Sequence, residues 1–187
     1  MEICGIDEAG RGPIAGPLVI AGCKLKKDID GLMDSKKLTP KKREELFEKI
    51  KENSEYHIVF IDNKKIDQFG LSAVIKEALS EIMQKINANR YIFDGNSSYG
   101  IDNLEHLIKG DSKIKEISAA SILAKVSRDR FMSEMDKKYP QYNFKKHKGY
   151  ITKEHIELIK KYGYCEIHRK SYNVKALKGV KWEYFYY

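Results

Sequence analysis

Two apolar runs of strand length open the chain, and only a short turn cluster separates them. Residues 2–7 lead into Glu8-Ala9-Gly10-Arg11-Gly12-Pro13, and residues 17–23 (Pro-Leu-Val-Ile-Ala-Gly-Cys) follow. Such a short connection suggests antiparallel neighbours in one sheet. Residues 56–61 and 91–93 read as further strands, and the rest of the pattern is helical. Thr39 as N-cap and Pro40 at the first helical position start a helix with Leu46, Phe47 and Ile50 on its apolar face. Residues 71–87 place Val74, Ile75, Ala78, Leu79, Ile82 and Ile86 at helical spacing. Residues 118–135 predict a long helix with Ser118 as N-cap, and residues 152–161 another, capped by Thr152 and ended by Gly163. Strands first and alternating helices later predict an α/β domain: a mixed sheet flanked by helices.

At 187 residues the chain can bury a core without a metal or disulfide to staple it. Its three cysteines, Cys4, Cys23 and Cys165, fit neither a disulfide framework nor zinc-ligand spacing, so a reducing cytoplasm is the expected setting. No secretory leader opens the sequence, and no run of about 18 apolar residues could span a membrane. Charge is unevenly spread. Residues 137–187 hold 13 Lys+Arg against 4 Asp+Glu, whereas residues 1–136 are close to neutral. A field of that kind attracts polyanions, although a Lys-rich solubility surface has the same composition. The change suggests a core over residues 1–136 and a basic, partly helical segment over 137–187 that completes the domain.

Four acids stand out by position. Asp7 and Glu8 close the first strand, Asp94 closes the strand at 91–93, and Asp111 follows Lys109-Gly110 in a loop. Acids just past buried strands are costly unless solvated, paired or bound to cations. Each also has an ordinary reading as a turn residue. Asp7 and Glu8 point to opposite faces and can share a site only if the strand ends or twists there. As a group of hard oxygen ligands, without a competing His or Cys cluster, the four suit Mg2+ or Mn2+. Beside a basic surface they suggest metal-assisted phosphodiester chemistry. The histidines show no ligand spacing, and His155 on its helix reads as a surface residue.

The motifs, taken in order, resemble the ribonuclease HII family. They are Gly5-Ile6-Asp7-Glu8-Ala9-Gly10-Arg11-Gly12-Pro13, Asp34-Ser35-Lys36-Lys37-Leu38-Thr39, Phe93-Asp94-Gly95 and Lys109-Gly110-Asp111-Ser112. The segment 117–126 with Arg128-Asp129, then His147-Lys148-Gly149-Tyr150, then His168-Arg169-Lys170-Ser171-Tyr172 complete the set. The resemblance implies an RNase H-like fold with a short helical C-terminal extension. It implies an endonuclease that cuts RNA–DNA hybrids and single ribonucleotides in duplex DNA, 5′ of the ribonucleotide, leaving 3′-hydroxyl and 5′-phosphate ends. Asp7, Glu8, Asp94 and Asp111 fall on the family's metal ligands. Gly10, Arg11 and Gly12 fall on its 2′-hydroxyl reader, and Tyr150 on its sugar-stacking tyrosine. Ser35, Lys36, Arg169 and Ser171 are expected phosphate contacts. Asp129 could also reach a metal or pair with Lys125 at i, i+4, and the family pattern favours Asp111 over it.

The related ribonuclease HIII family differs in its opening motif and its extra N-terminal domain. The aromatic tail at 182–187 lacks the glutamine that opens a clamp-binding motif, so packing on the domain is favoured over a replication-clamp contact. A monomer is expected. Two other classes stay open: a catalytically silent hybrid binder, which would not need the acids, and another nuclease or transposase-like enzyme on the same fold, which would not need the ribose reader.

Overall fold

The computed structural model describes residues 1–182, without the side chains of residues 34–36. The tail at 183–187 therefore lies outside the described residues, as do the side chains of Ser35 and Lys36. Five strands, β1 (Ile3–Ala9), β2 (Leu18–Leu25), β3 (Ser54–Ile61), β4 (Arg90–Asp94) and β5 (Leu104–Leu107), form one sheet in the order β3-β2-β1-β4-β5. The first three pair antiparallel, while β4 joins β1 and β5 joins β4 in parallel. Among the described residues six α-helices accompany them: α1 (Pro40–Glu52), α2 (Asn63–Phe69), α3 (Leu71–Lys85), α4 (Lys115–Lys138), α5 (Phe144–His147) and α6 (Lys153–Tyr162). A mixed sheet with helices on both faces is the architecture the sequence predicts. Among the described residues no helix is long and apolar enough to cross a membrane.

Local chemistry explains several boundaries. Thr39 accepts a hydrogen bond from the Lys42 amide and Pro40 opens α1, while Thr152 caps α6 through the His155 amide and Gly163 ends it at φ 77°. The expected cap Ser118 is instead an interior residue of α4. The helix begins three residues earlier, at Lys115, and the Ser118 hydroxyl donates to the carbonyl of Leu32. The first strand does not end at Asp7. It runs on to Ala9, with Asp7 opposite Ala21 and Glu8 opposite Ile20. Neither α2 nor β5 is foreseen from the sequence, both being too short to show a clear period.

Three apolar clusters hold the elements. Cys4, Ile6, Leu18, Ile20 and Phe93 face α3 on one side of the sheet. Val19, Ala21 and Cys23 meet α1 and α4 on the other. The third joins Ile14, Ala15 and Met132 to Tyr142, Phe144, Ile159 and Leu177. That cluster crosses residue 137, which lies within α4, so the change in charge does not coincide with a break in the fold. Trp182 lies flat on Tyr164, with ring centroids 3.5 Å apart.

The tightest approach is that of α4 to β1. A Cβ on Gly5 would lie 2.3 Å from the backbone of Glu116 and Ile117. Backbone cannot swing aside as a flexible side chain can. Gly5→Ala is therefore expected to lower stability by about 3 kcal/mol, the upper end of ordinary overpacking costs. Urea unfolding checks this, and an unchanged midpoint would show that α4 can retreat.

Candidate active site

The sheet places Asp7 and Glu8 among the last residues of β1 and Asp94 at the end of its parallel neighbour β4. Asp111 lies in a 3-10 turn, Gly110–Ser112, just before α4, and its amide donates to Asp94 Oδ2 at 3.1 Å. The Glu8 amide donates to Asp7 Oδ1 at 2.7 Å. Burial pushes the Asp7 carboxyl well above the usual carboxylate range, and the negative charges of Asp94 and Glu8 add to the rise. Hydrogen bonds from the Glu8 amide and the Ser121 side chain on α4 oppose it. Glu8 is raised by burial and by Asp94, against the pull of Arg11, whose Nη1 is 3.7 Å away. Asp94 is thus felt by both acids of β1.

The donor set consists of hard oxygens only. Glu8 is the informative member: its side chain is 17% exposed, and Oε2 is buried without a hydrogen-bond partner. A buried, unpartnered carboxylate oxygen among like charges is unfavourable unless a proton or cation joins it. The residues therefore suit a hard divalent cation. Among the described residues, however, no three acidic, His or Cys side chains stand together closely enough to hold a metal ion as arranged. Asp129 stands apart from this group, paired with Lys125 at 3.3 Å on α4.

Next to Glu8 the chain turns at Gly10, whose φ of 92° disfavours a side chain. A Cβ there would also lie 2.1 Å from Arg128 Nε, while one on Gly12 would meet nothing. Arg11 is exposed and donates to the Tyr99 hydroxyl at 3.3 Å. Tyr150 is 45% exposed and follows α5 by a short segment.

Two of the expected phosphate contacts, Arg169 and Ser171, have protein partners. Arg169 is fully buried, and its guanidinium serves the carbonyls of Gly10, Arg11 and Gly16 and the Tyr172 hydroxyl. Its donors build the turn and are not turned to solvent. The Ser171 hydroxyl donates to Asp67 Oδ1 at 2.5 Å, so an anion brought there would meet a carboxylate.

His155 is a further correction, since it is fully buried. It belongs to a chain of three rings whose partners fix each tautomer. The Gly149 amide donates to His147 Nδ1, leaving Nε2–H for the Tyr142 carbonyl. The Cys165 amide donates to His168 Nδ1, so Nε2–H points at His155 Nε2, 3.0 Å away. His155 Nδ1–H then donates to the Tyr150 carbonyl at 2.9 Å. Arg128 and Ser121 carry no signal of their role in the sequence, because their partners Ala15, Pro17 and Asp7 are distant along the chain. For the trio, the one local hint is that His147 and His155 straddle Gly149-Tyr150.

A five-stranded mixed sheet carrying acids at the ends of adjacent parallel strands defines the ribonuclease H-like class of nucleases. Comparison with known proteins narrows this. The sequence model of the family described as Ribonuclease HII matches residues 4–175. Ribonuclease HII of Sulfurovum sp. (strain NBC37-1) is 57% identical over 175 residues, 94% of this chain and 93% of that protein. Ribonuclease HII of Campylobacter hominis is 58% identical over 182 residues, 96% and 98% of the two chains. Among solved structures, RNase HII of Archaeoglobus fulgidus, in complex with PCNA, superposes with a TM-score of 0.81 at 26% identity over 94% of this chain and 96% of that one. Ribonuclease H2 of Pyrococcus horikoshii OT3 gives 0.77 at 30% identity, covering 92% and 94%. The chain belongs to the ribonuclease HII family and is a nuclease of the ribonuclease H type.

The histidine trio makes stability depend on pH. Burial lowers all three, His155 to about 4 and His168 to about 3. An unfolded His takes a proton near pH 6.5, so below that the unfolded state binds protons the fold refuses. Stability is therefore complete above about pH 6.5 and lost as pH falls towards 4, by at most about 1.4 kcal/mol per pH unit for each ring. The raised Asp7 and Glu8 act in the opposite sense, so the histidines are isolated by comparison. Urea midpoints from pH 7 to 4.5 should fall less steeply in His147→Gln than in the parent, and equal slopes would refute this source.

Proposed function

We propose that this nuclease cuts a phosphodiester on the 5′ side of a ribonucleotide, in RNA–DNA hybrids and at single ribonucleotides in duplex DNA. The products would be a 3′-hydroxyl and a 5′-phosphate. The observation that carries the reading is the buried, unpartnered Glu8 oxygen amid carboxylates, directly beside a glycine-bounded turn. Asp7, Glu8, Asp94 and Asp111 would hold two divalent ions, Mg2+ or Mn2+. Such ions, when bound, lower the pKa of a water and neutralise charge on the phosphate and leaving oxygen.

The protein's own residues do the rest. Asp7, held by the Glu8 amide and the Ser121 side chain, would be the central acid of this set. Asp94 is oriented by the amide of Asp111, which ties the turn at Gly110–Ser112 to the end of β4. Distinguishing RNA from DNA requires contact with the 2′-hydroxyl. The turn Gly10-Arg11-Gly12 offers a backbone that can approach a sugar closely, and Gly12 faces open space where a side chain would stand in the way. The half-exposed ring of Tyr150 would lie against the following sugar, leaving no room for an added hydroxyl, and so favour deoxyribose there. The basic residues of 137–187 would draw the duplex backbone. The archaeal relative is in complex with PCNA, but here Trp182 stacks on Tyr164, so packing of this residue on the domain is favoured over a clamp contact.

The test is a panel of three duplexes: one ribonucleotide in DNA, all DNA, and RNA–DNA hybrid, each with Mg2+, Mn2+ or EDTA. Cutting is expected only where ribose is present and metal is available. Cutting of all-DNA, or cutting in EDTA, would sink the reading. In the same assay Asp111→Asn should lose most activity, about 100-fold or more, in line with the loss of a metal-holding or charge-stabilising group. Asp129→Asn should keep much of it, and the reverse ranking would exchange their roles.

A further inference from the structure

We infer that Arg128, supported by His155, is a positioning brace that fixes the spacing between the turn at Gly10 and the ring of Tyr150, and thereby sets selectivity for the ribose–deoxyribose junction. The inference rests on the assignment of those two elements to neighbouring sugars, as proposed above.

Arg128 is a side chain of α4, 1% exposed, and its donors serve protein carbonyls. Nε donates to Pro17 at 2.9 Å, Nη2 to Ala15 at 2.9 Å and Nη1 to Lys148 at 2.8 Å. The first two bonds hold the segment that follows the turn, and the third holds the segment that carries Tyr150. The same guanidinium lies over the Tyr150 ring, with Cζ 5.5 Å from its centroid. Its Nε and the adjoining Cδ fill the space beside Gly10 where a Cβ would be. One planar group therefore touches both reading elements. Because a guanidinium is rigid and its donors diverge at fixed angles, it acts as a spacer of set length.

His155 also holds Tyr150, donating Nδ1–H to its backbone carbonyl. Backbone bonds close the assembly. The Ile14 amide donates to the Gly149 carbonyl at 3.0 Å, and the Arg169 amide to Ile14 at 2.7 Å. Charge near Arg128 is consistent with a structural task. Burial and the neighbouring Arg169 lower its pKa to about 10, still far above neutrality, so the group remains a cation.

None of these bonds reaches Asp7, Glu8, Asp94 or Asp111. Loss of the brace should therefore change which sugar pair is accepted more than it changes hydrolysis. Lysine at this position keeps the charge but cannot reproduce the fork that binds three carbonyls.

The experiment compares kcat/KM on a duplex with one embedded ribonucleotide with that on an RNA–DNA hybrid, for the parent, Arg128→Lys, His155→Gln and Tyr150→Ala. Folding is checked by circular dichroism and melting. In Arg128→Lys the ratio of junction to hybrid cleavage should fall at least about tenfold, since a displacement of about 1 Å can cost about 100-fold. Turnover on hybrid should stay within a few-fold of the parent. His155→Gln should move the ratio the same way, and it decides the matter if Arg128→Lys does not fold. An unchanged ratio in a folded brace variant, or an equal loss on both substrates, overturns the brace. If Tyr150→Ala itself leaves the ratio unchanged, the reading of Tyr150 fails instead, and the brace loses its functional meaning with it.

Discussion

Helix α4 lies so close to β1 that the strand must present a glycine beneath its first turn, and that contact organises the site. With the helix pressed on Gly5, Ser121 comes within reach of Asp7 one turn further along. Two turns beyond, Arg128 reaches the segments around Gly10 and Lys148. Asp111 sits in the turn that feeds the same helix. A shift of α4 along or away from the sheet would disturb acids, turn and tyrosine together. The small residues Ala119 and Ala120, both fully buried, extend the close contact beyond the glycine.

The two halves of the site handle buried charge in opposite ways. Around Asp7 like charges are crowded, and hydrogen bonds offset only part of the cost, which leaves a demand for positive charge. Around Gly10 two guanidiniums are buried, and here the cost is met by carbonyls whose dipoles point inward. The first arrangement suits a site that gains a cation with its substrate. The second suits a scaffold that must already be rigid before any ligand arrives. Removing either arginine would leave several carbonyls unsatisfied at once, a larger penalty than the loss of one surface ion pair.

Features governed by neighbours in sequence were legible. Thr39 with Pro40, Thr152 with Gly163, and the apolar stripe of α3 are local devices, and each forms as its pattern predicts. The positions of the four acids at strand ends and in a turn are local features too. Ser118 misled because a serine before a helical run is a normal cap, and nothing nearby shows that its hydroxyl is taken by Leu32, 86 positions away. Arg169 and Ser171 looked like phosphate ligands for the same reason. Their partners, Gly10 and Asp67, lie 159 and 104 positions off. A histidine on an amphipathic helix gave no sign of burial, because two other rings, from α5 and the 165–169 segment, are needed to receive it.

Charge spent internally cannot also hold a ligand. Arg128 and Arg169 are committed to the protein's own backbone, so any grip on a duplex must come from cations at the surface. The lysines of 137–187 are mostly exposed, and long flexible side chains of that kind bind a polyanion without fixing its register. Rigid guanidiniums inside and mobile ammoniums outside thus divide recognition. The exterior would supply affinity that weakens with salt, and the interior would hold the geometry in which one hydroxyl on a sugar makes a difference.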